Sequence, residues 1–532
     1  MVTAAARASI ALMLGFAFTS LAQADDARLR IGEIFRAAQP QQTTMLSLPA
    51  EMGDYLRGRL DAGNEKLTLD LVAADGTHIR RLADEAGGSV EFRIIIGRTG
   101  EKLKVTSKRP DAAFALTLLD QVTPKQQVAP QTRPVSPTLS KLVEEVEKGG
   151  SAETFWEQQR EQDTPLIEKL DDKQSLVTFL QRGAKRNVRL FGAPSGDHEL
   201  LERLGQSDIW FKSFVVPNDT RLSYQIAPDV PDLPGSERNR RVAILATAQA
   251  DPLNPQRWPE GAPDVFNQDS ILELPDAPEQ PGIKEKGAAK GNLSSFSIAS
   301  ERLGNEREIT IYTPPGFDAA DPKNRLLFLF DARQYMTKVP TPTILDNLIA
   351  ENLISPTVAV FVSEIDREAR SRELPANADF ADFMAKELLP EIKARTGLKL
   401  GPDRTILAGS SYGGLAAATI ALRHPKSFGN ALSLSGSFWW HPKNTPASEE
   451  EYVAGLVAGM QTVPVRFHLT AGLFETAHAN AAGILETSRH LRDVLVARGY
   501  QVGYREYAGG HDYYVWRGAL GDGLIALEQP PR

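Results

Sequence analysis

Thr405-Ile406-Leu407-Ala408-Gly409-Ser410-Ser411-Tyr412-Gly413-Gly414-Leu415 runs from a β-rich apolar stretch, through Gly-x-Ser-x-Gly, into a helix-forming run that reaches Leu422. That order describes a serine on a sharp strand-to-helix turn, pushed above the sheet. The glycines remove side chains that would collide across the turn. Ser411 is the expected nucleophile. The helix that follows directs its positive N-terminus at a developing oxyanion, for which the backbone N–H of Tyr412 is the first donor.

A serine of this kind needs a base and an acid further along the chain, each at the C-terminal end of a strand. The chain has eight histidines. His511 lies in Tyr507-Ala508-Gly509-Gly510-His511-Asp512, straight after the strand-like Val502 to Tyr507, where the glycines let a loop fold over the nucleophile. It is the expected general base. His441, His468, His478 and His490 read as surface or packing residues. Glu475 sits just past the strand-like Val465 to Gly472 and is the candidate acid. Its other reading is a helix cap or a solvated side chain. Asp512 is too close in sequence to reach the ring and reads as a loop-fixing acceptor. The second oxyanion donor is expected from the loop after Leu326 to Phe330, with the N–H of Arg333 as candidate.

These residues require a sheet to hold them. From about Gly291, apolar strands at Leu326 to Phe330 and Val358 to Val362 alternate with helical patterns at Ile344 to Ala350 and Phe380 to Arg395. Strands buried on both faces and spaced by helices mean a doubly wound sheet. Residues 284–532 are therefore expected to be an α/β-hydrolase catalytic domain. Upstream, residues 138–283 hold a short helical preface, Leu139 to Val146 and Thr154 to Glu161. Strands follow at 176–180, 188–191, 210–216 and 222–226, an immunoglobulin-like sandwich.

Residues 121–137 carry Pro124, Pro130, Pro134 and Pro137, a tether that stops any ladder or helix. Residues 25–120 read as a small β-sandwich with strands near 55–60, 67–72 and 92–96. Its turns are expected at Asp75-Gly76, Gly87-Gly88 and Thr99-Gly100. The fold class is thus multidomain, a C-terminal α/β hydrolase preceded by two β-sandwich domains. The first sandwich resembles a bacterial pre-peptidase C-terminal module through Gly53-Asp54-Tyr55-Leu56-Arg57-Gly58 and Ala74-Asp75-Gly76-Thr77. Such a module implies binding or spacing rather than catalysis.

With 532 residues, 42% hydrophobic and 24% charged, the chain is in the range of soluble multidomain proteins. A net charge of -8 argues against nucleic acid as a partner. Arg7, the apolar run Ile10 to Phe18 and Leu21-Ala22-Gln23-Ala24 form a secretory signal pattern, with cleavage expected after Ala24. The run is too short to span a bilayer, so no membrane span is expected after cleavage. The location implied is periplasmic or secreted. The absence of cysteine excludes zinc-thiolate and disulfide scaffolds.

Nearly everything after the tether resembles the enterochelin (ferric enterobactin) esterase family, in the esterase-D-like branch of α/β hydrolases. In the upstream domain the matching pieces are Phe155-Trp156, Thr164-Pro165-Leu166-Ile167-Glu168, Asp208-Ile209-Trp210 and Asp251-Pro252-Leu253-Asn254-Pro255. In the hydrolase part they are Arg372-Glu373-Leu374, Ser433-Leu434-Ser435-Gly436-Ser437-Phe438-Trp439-Trp440, and Gly509-Gly510-His511-Asp512 with Trp516-Arg517.

The resemblance implies hydrolysis of the ester bonds in a trilactone of 2,3-dihydroxybenzoylserine, iron-loaded or free, by Ser411, His511 and Glu475. It implies no cofactor or catalytic metal, iron arriving only with the substrate. A trianionic ferric substrate would suit basic side chains, with Arg333, Arg372 and Arg517 as candidates, and aromatic walls, with Trp439 and Trp440. Ordinary salt bridging and core packing are the competing readings of these five. Asp331-Ala332-Arg333-Gln334-Tyr335 departs from the family by having Ala and Tyr in place of Gly and Trp. Two other functions stay open: an esterase for acylated carbohydrates, of feruloyl or acetyl type, and a siderophore-binding protein without turnover.

Overall fold

Apolar and polar residues alternating with a period of two build the first unit, Met1–Thr132. The computed structural model describes residues 27–37, 42–110, 112–124, 126, 133–196, 198–205, 207–446, 451–477 and 482–529. The signal pattern, most of the proline tether and His478 lie outside the described residues. Tyr55–Val72 and His78–Ile95 form one antiparallel hairpin, each strand 18 residues long, around the Asp75-Gly76 turn. The first half of Tyr55–Val72 pairs with Ala115–Val122 and its second half with Lys102–Ser107. One strand thus serves two half-sheets, whose apolar faces enclose Leu56, Leu60, Leu69, Phe92 and Leu118.

The turn expected at Gly87-Gly88 is absent. Both glycines lie inside the long strand, and the pairing register slips where Gly63 meets Gly88. These two residues have φ of 56° and 70°. Glycine takes that conformation without steric cost, so a bulge that bends the hairpin replaces the turn.

The second unit is Arg133–Arg532. Ser136 caps its first helix, Pro137–Glu147, by accepting from Leu139 N at 3.1 Å, so the tether ends one residue earlier than expected. Two four-stranded sheets follow. Val177, Phe179, Trp210, Leu222 and Tyr224 fill the space that they share. This segment and the hydrolase part, expected as successive domains, form a single compact unit.

The hydrolase sheet has eight strands: β1 (Asn292–Ser300), β2 (Asn305–Thr313), β3 (Arg325–Phe330), β4 (Thr357–Val362), β5 (Thr405–Ser410), β6 (Asn430–Leu434), β7 (Arg466–Gly472) and β8 (Gln501–Tyr507). Their order is β1-β2-β4-β3-β5-β6-β7-β8. The first two strands form an antiparallel hairpin, and β3 to β8 are parallel. Alternate residues of β3 enter opposite cores: Leu326, Phe328 and Phe330 on one face, Leu327 and Leu329 on the other. This two-sided burial explains the continuous apolar runs of the sequence. The helix expected over Phe380 to Arg395 is broken by a π-turn at Met384–Leu388. Pro390 has no N–H to return to the preceding turn, and the ladder shifts just before it.

Candidate active site

Ser411 stands between β5 and the helix Tyr412–Arg423 with φ 57° and ψ -121°. A non-glycine residue there is strained by about 1–3 kcal/mol and persists only because its surroundings hold it. Its N–H donates to the Leu434 carbonyl at 3.0 Å, and its carbonyl accepts from Ser437 N at 3.1 Å. Two glycines of the turn are required by contact, Gly409 and Gly414, whereas a Cβ on Gly413 would meet Phe330 Cβ at an ordinary 3.4 Å. A Cβ on Gly409 would sit 2.8 Å from the Gly413 carbonyl carbon, and one on Gly414 2.6 Å from Ser433 Oγ. Ser411 Oγ lies 3.2 Å from Ser437 Oγ.

His511 follows β8 on the Ala508–Asp512 loop, and its Nδ1 donates to Glu475 Oε1 at 2.6 Å. That hydrogen bond selects the tautomer in which Nε2 is free to accept a proton. The ring stands edge-on to Trp516 at 4.7 Å and 89°. The Glu475 side chain is 3% exposed. Its Oε2 accepts from Ser435 Oγ at 2.7 Å and from Gly472 N at 2.6 Å, while Trp516 Nε1 donates to Ser435 Oγ at 2.9 Å. A buried carboxylate is tolerable with this many donors. The helix-cap reading of Glu475 does not hold, since Gly483 N and Glu486 make that cap.

Asp512 does fix the loop. Its Oδ1 accepts from Tyr514 N at 2.7 Å, capping the last helix, and its Oδ2 accepts from Ser223 N at 2.5 Å in the upstream domain. Arg221 N adds a bond to the Ala508 carbonyl at 2.9 Å. A Cβ on Gly509 would meet the Arg221 carbonyl oxygen at 2.8 Å, and one on Gly510 the Ala193 Cβ at 2.7 Å. The two glycines before His511 therefore let the upstream domain press against this loop. Of the other histidines, His468 is buried in β7, His490 pairs with Glu451, and His441 pairs with the Pro442 carbonyl.

Arg333 is the second residue of the short helix Ala332–Thr337 after β3. Asp331, just before it, is buried with φ 57° and takes a bidentate bond from Arg370 at 2.5 and 2.7 Å. The Arg370 guanidinium also lies 5.7 Å from the Tyr412 ring centre, so one arginine joins the Asp331 carboxylate to the Tyr412 side chain. Arg333 itself is exposed, and its side chain borders a separate groove with Glu364 and Arg370.

A cavity of about 660 Å³ opens beside His511 and Glu475. The upstream domain contributes Phe191, Trp258 and Asp269 to its wall, and the hydrolase part contributes Lys338, Trp439 and Tyr513. Of the expected substrate contacts only Trp439 is there, 42% exposed and 6.2 Å from the Tyr412 ring. Trp440 packs on Tyr452 at 6.0 Å and belongs to the core. Arg372 is at the surface, 3.9 Å from Glu373. Arg517 is a link between the parts: Nε donates to Gln280 at 2.7 Å and the guanidinium covers the Tyr514 ring at 3.7 Å. For these three the packing and salt-bridge readings hold.

Sequence reasoning missed Lys338, Trp258, Asp269, Tyr513, Ser435 and Arg370. Tyr513 was within reach as a near neighbour of His511. Trp258 and Asp269 carry no local signal, because only tertiary folding brings their domain to the site.

Family models match both parts of this unit: Esterase at residues 300–527, and Enterochelin esterase, N-terminal, at residues 176–283. The iron(III) enterobactin esterase of Dickeya dadantii is 33% identical over 408 residues, covering 70% of this chain and 92% of that protein. Its counterpart from Escherichia coli K12 is 31% identical over 403 residues, covering 71% and 97%. Among solved structures, the enterobactin esterase of Shigella flexneri in the presence of enterobactin has 30% identity and a TM-score of 0.57, covering 70% of this chain and 97% of that one. The ferric enterobactin esterase of Salmonella typhimurium has 31% identity and a TM-score of 0.58, covering 70% and 98%. A hydrolase sheet with this elbow, an upstream domain of the matching kind and nearly full coverage of such relatives mean that the chain is an esterase and belongs to the enterochelin esterase family.

Proposed function

We propose that this protein is a serine esterase that cleaves the ester bonds of a catecholate trilactone siderophore, iron-loaded or free, in iron acquisition. The observation that carries the chemistry is the strained Ser411 elbow together with His511, which is paired to the buried Glu475 beside a large cavity. The substrate class rests on the near full-length similarity to enterobactin esterases.

Ser411 Oγ attacks the ester carbonyl and passes its proton to His511 Nε2. Glu475 stabilises the imidazolium. The N–H groups of Tyr412 and Arg333 receive the oxyanion. As the intermediate collapses, the C–O bond of the ester breaks and His511 returns the proton to the departing serine hydroxyl of the substrate. Water, deprotonated by His511, then attacks the acyl-enzyme and releases the carboxylate product with Ser411 restored. No step uses a metal, so any iron is cargo. The secretory pattern before Ala24 supports a periplasmic site of action, before siderophore enters the cytoplasm.

The test is incubation of wild type and Ser411→Ala with enterobactin and its ferric complex, followed by chromatography. Wild type should release dihydroxybenzoylserine units, and the variant should be slower by about 10⁴-fold or more. If wild type leaves both forms intact while hydrolysing simple aryl esters through Ser411, the mechanism stands and the substrate becomes an acylated sugar.

A further inference from the structure

One wall of the cavity holds an arrangement that the reaction above does not use. Among the described lining residues Lys338 is the one lysine or arginine. Its ammonium lies 5.4 Å from the Trp258 ring centre and 5.7 Å from that of Tyr513. Asp269, on a strand of the upstream domain, places a carboxylate oxygen 3.8 Å from Lys338 Nζ. That separation exceeds a hydrogen bond, so the ion pair leaves the donors of Lys338 and the lone pairs of Asp269 unspent. Neither side chain makes a hydrogen bond with another described residue.

The two groups are held apart by construction. Lys338 ends the short helix after β3, while Asp269 pairs in the ladder with Trp258. Both line the cavity together with His511 and Asp512, so they border the loop that carries the histidine.

A ligand that satisfies this wall must be flat, to lie among Trp258 and Tyr513. It must offer an oxygen to an ammonium and a hydroxyl hydrogen to a carboxylate, side by side. A vicinal aromatic diol does both. We propose that Lys338 and Asp269, framed by Trp258 and Tyr513, form the subsite that recognises a catechol ring of the substrate. In the iron-free substrate, whose ring keeps its hydroxyls, one phenolic oxygen accepts from Lys338, and a phenolic O–H donates to Asp269. In a dihydroxybenzoylserine ester, the ring is only a few bonds from the carbonyl that Ser411 attacks. This inference rests on the siderophore reading and deepens it, since it places catechol recognition across two parts of the chain.

The experiment compares iron-free esters of 2,3-dihydroxybenzoylserine and of benzoylserine, which lacks the ring hydroxyls, with wild type, Lys338→Met and Asp269→Asn. Wild type should favour the dihydroxy ester. Lys338→Met should raise its KM about tenfold, the worth of a charge-assisted hydrogen bond, and move the benzoyl ester by less than about twofold. Asp269→Asn should narrow the preference in the same direction. A variant that is merely destabilised would lower turnover of both esters alike. If both variants keep the wild-type preference, or both esters shift together, the subsite is overturned and the siderophore reading survives. If wild type cleaves the benzoyl and simple aryl esters but no dihydroxybenzoylserine ester, the siderophore reading fails, and the subsite falls with it.

Discussion

Glu475 is a charge taken out of water and held by three donors, His511 Nδ1, Ser435 Oγ and Gly472 N. The geometry of the base depends on all three. Removing the charge while keeping the shape, in Glu475→Gln, should lower kcat about 10³–10⁴-fold, because the imidazolium loses its counter-ion and the tautomer is no longer selected. Ser435→Ala is a finer probe. Its hydroxyl joins Glu475 to Trp516, whose ring edge also braces His511. Loss of one hydrogen bond to a carboxylate costs about 1.5–3 kcal/mol, so kcat should fall about tenfold or more with KM nearly unchanged. Steady-state kinetics on a simple aryl ester reads both changes. A KM effect from Ser435→Ala with normal kcat would show that the serine contacts substrate instead of orienting the acid. The strand-to-helix turn at Ser411 and the loop at His511 were legible in the sequence because their motifs are local: Gly-x-Ser-x-Gly suits a sharp turn, and Gly-Gly-His suits a loop pressed this closely. Ser435 was not, because nothing in Leu434-Ser435-Gly436 says which carboxylate its hydroxyl meets.

Elements tell a similar story with different physics. The strands β3, β4 and β5 were readable as apolar runs, since burial on both faces leaves no polar alternative. The edge hairpin of β1 and β2 was not, because its first strand alternates with exposed residues. The loop carrying His511 is the element on which function turns, and its register comes from outside the hydrolase sheet. Asp512→Ala removes a helix cap and the bond to Ser223 N together, which should cost about 1–3 kcal/mol of stability. It should also lower kcat by more than unfolding explains, as seen by comparing denaturation midpoints with turnover at saturating substrate.

β7 carries a pH-dependent weakness. Burial, helped by Arg466 and Arg505, pushes the His468 imidazole down to about 4. The unfolded chain holds that proton from about pH 6.5 downward and the folded chain does not. Stability is therefore retained above about pH 6.5 and lost as pH falls towards 4, by about 3 kcal/mol in all. Urea denaturation at pH 7 and pH 4.5 should show this loss in wild type and a smaller one in His468→Gln. Equal losses would assign the acid sensitivity to other groups.

At the scale of the whole molecule, Ser411, His511, Glu475 and every residue of the cavity wall fall within Arg133–Arg532. The unit before it has its own core of Leu46, Leu56, Leu60, Leu103 and Leu118, which closes without help. The two family models that match this chain, at residues 176–283 and 300–527, both fall within the later part. The tether was readable as a boundary because closely spaced prolines exclude both ladder and helix. The continuity between 138–283 and the hydrolase sheet was not readable. It is made by single contacts such as Ser223 with Asp512 and Gln280 with Arg517, whose partners are hundreds of residues apart.

From this division follows a prediction opposite in sign for the two boundaries. A chain starting at Arg133 should fold and hydrolyse an aryl ester with kcat within about twofold of the full chain, since it keeps Ser411, His511, Glu475 and every described residue that lines the cavity. A chain starting at 284 should lose activity even where it folds, because the wall bearing Trp258 and Asp269 and the clamp on the histidine loop leave with the upstream domain. Circular dichroism and aryl-ester kinetics on both truncations decide the matter. Full activity from the shorter chain would reduce the upstream domain to an appendage, whereas inactivity of the chain from Arg133 would give the first β-rich unit a part in catalysis.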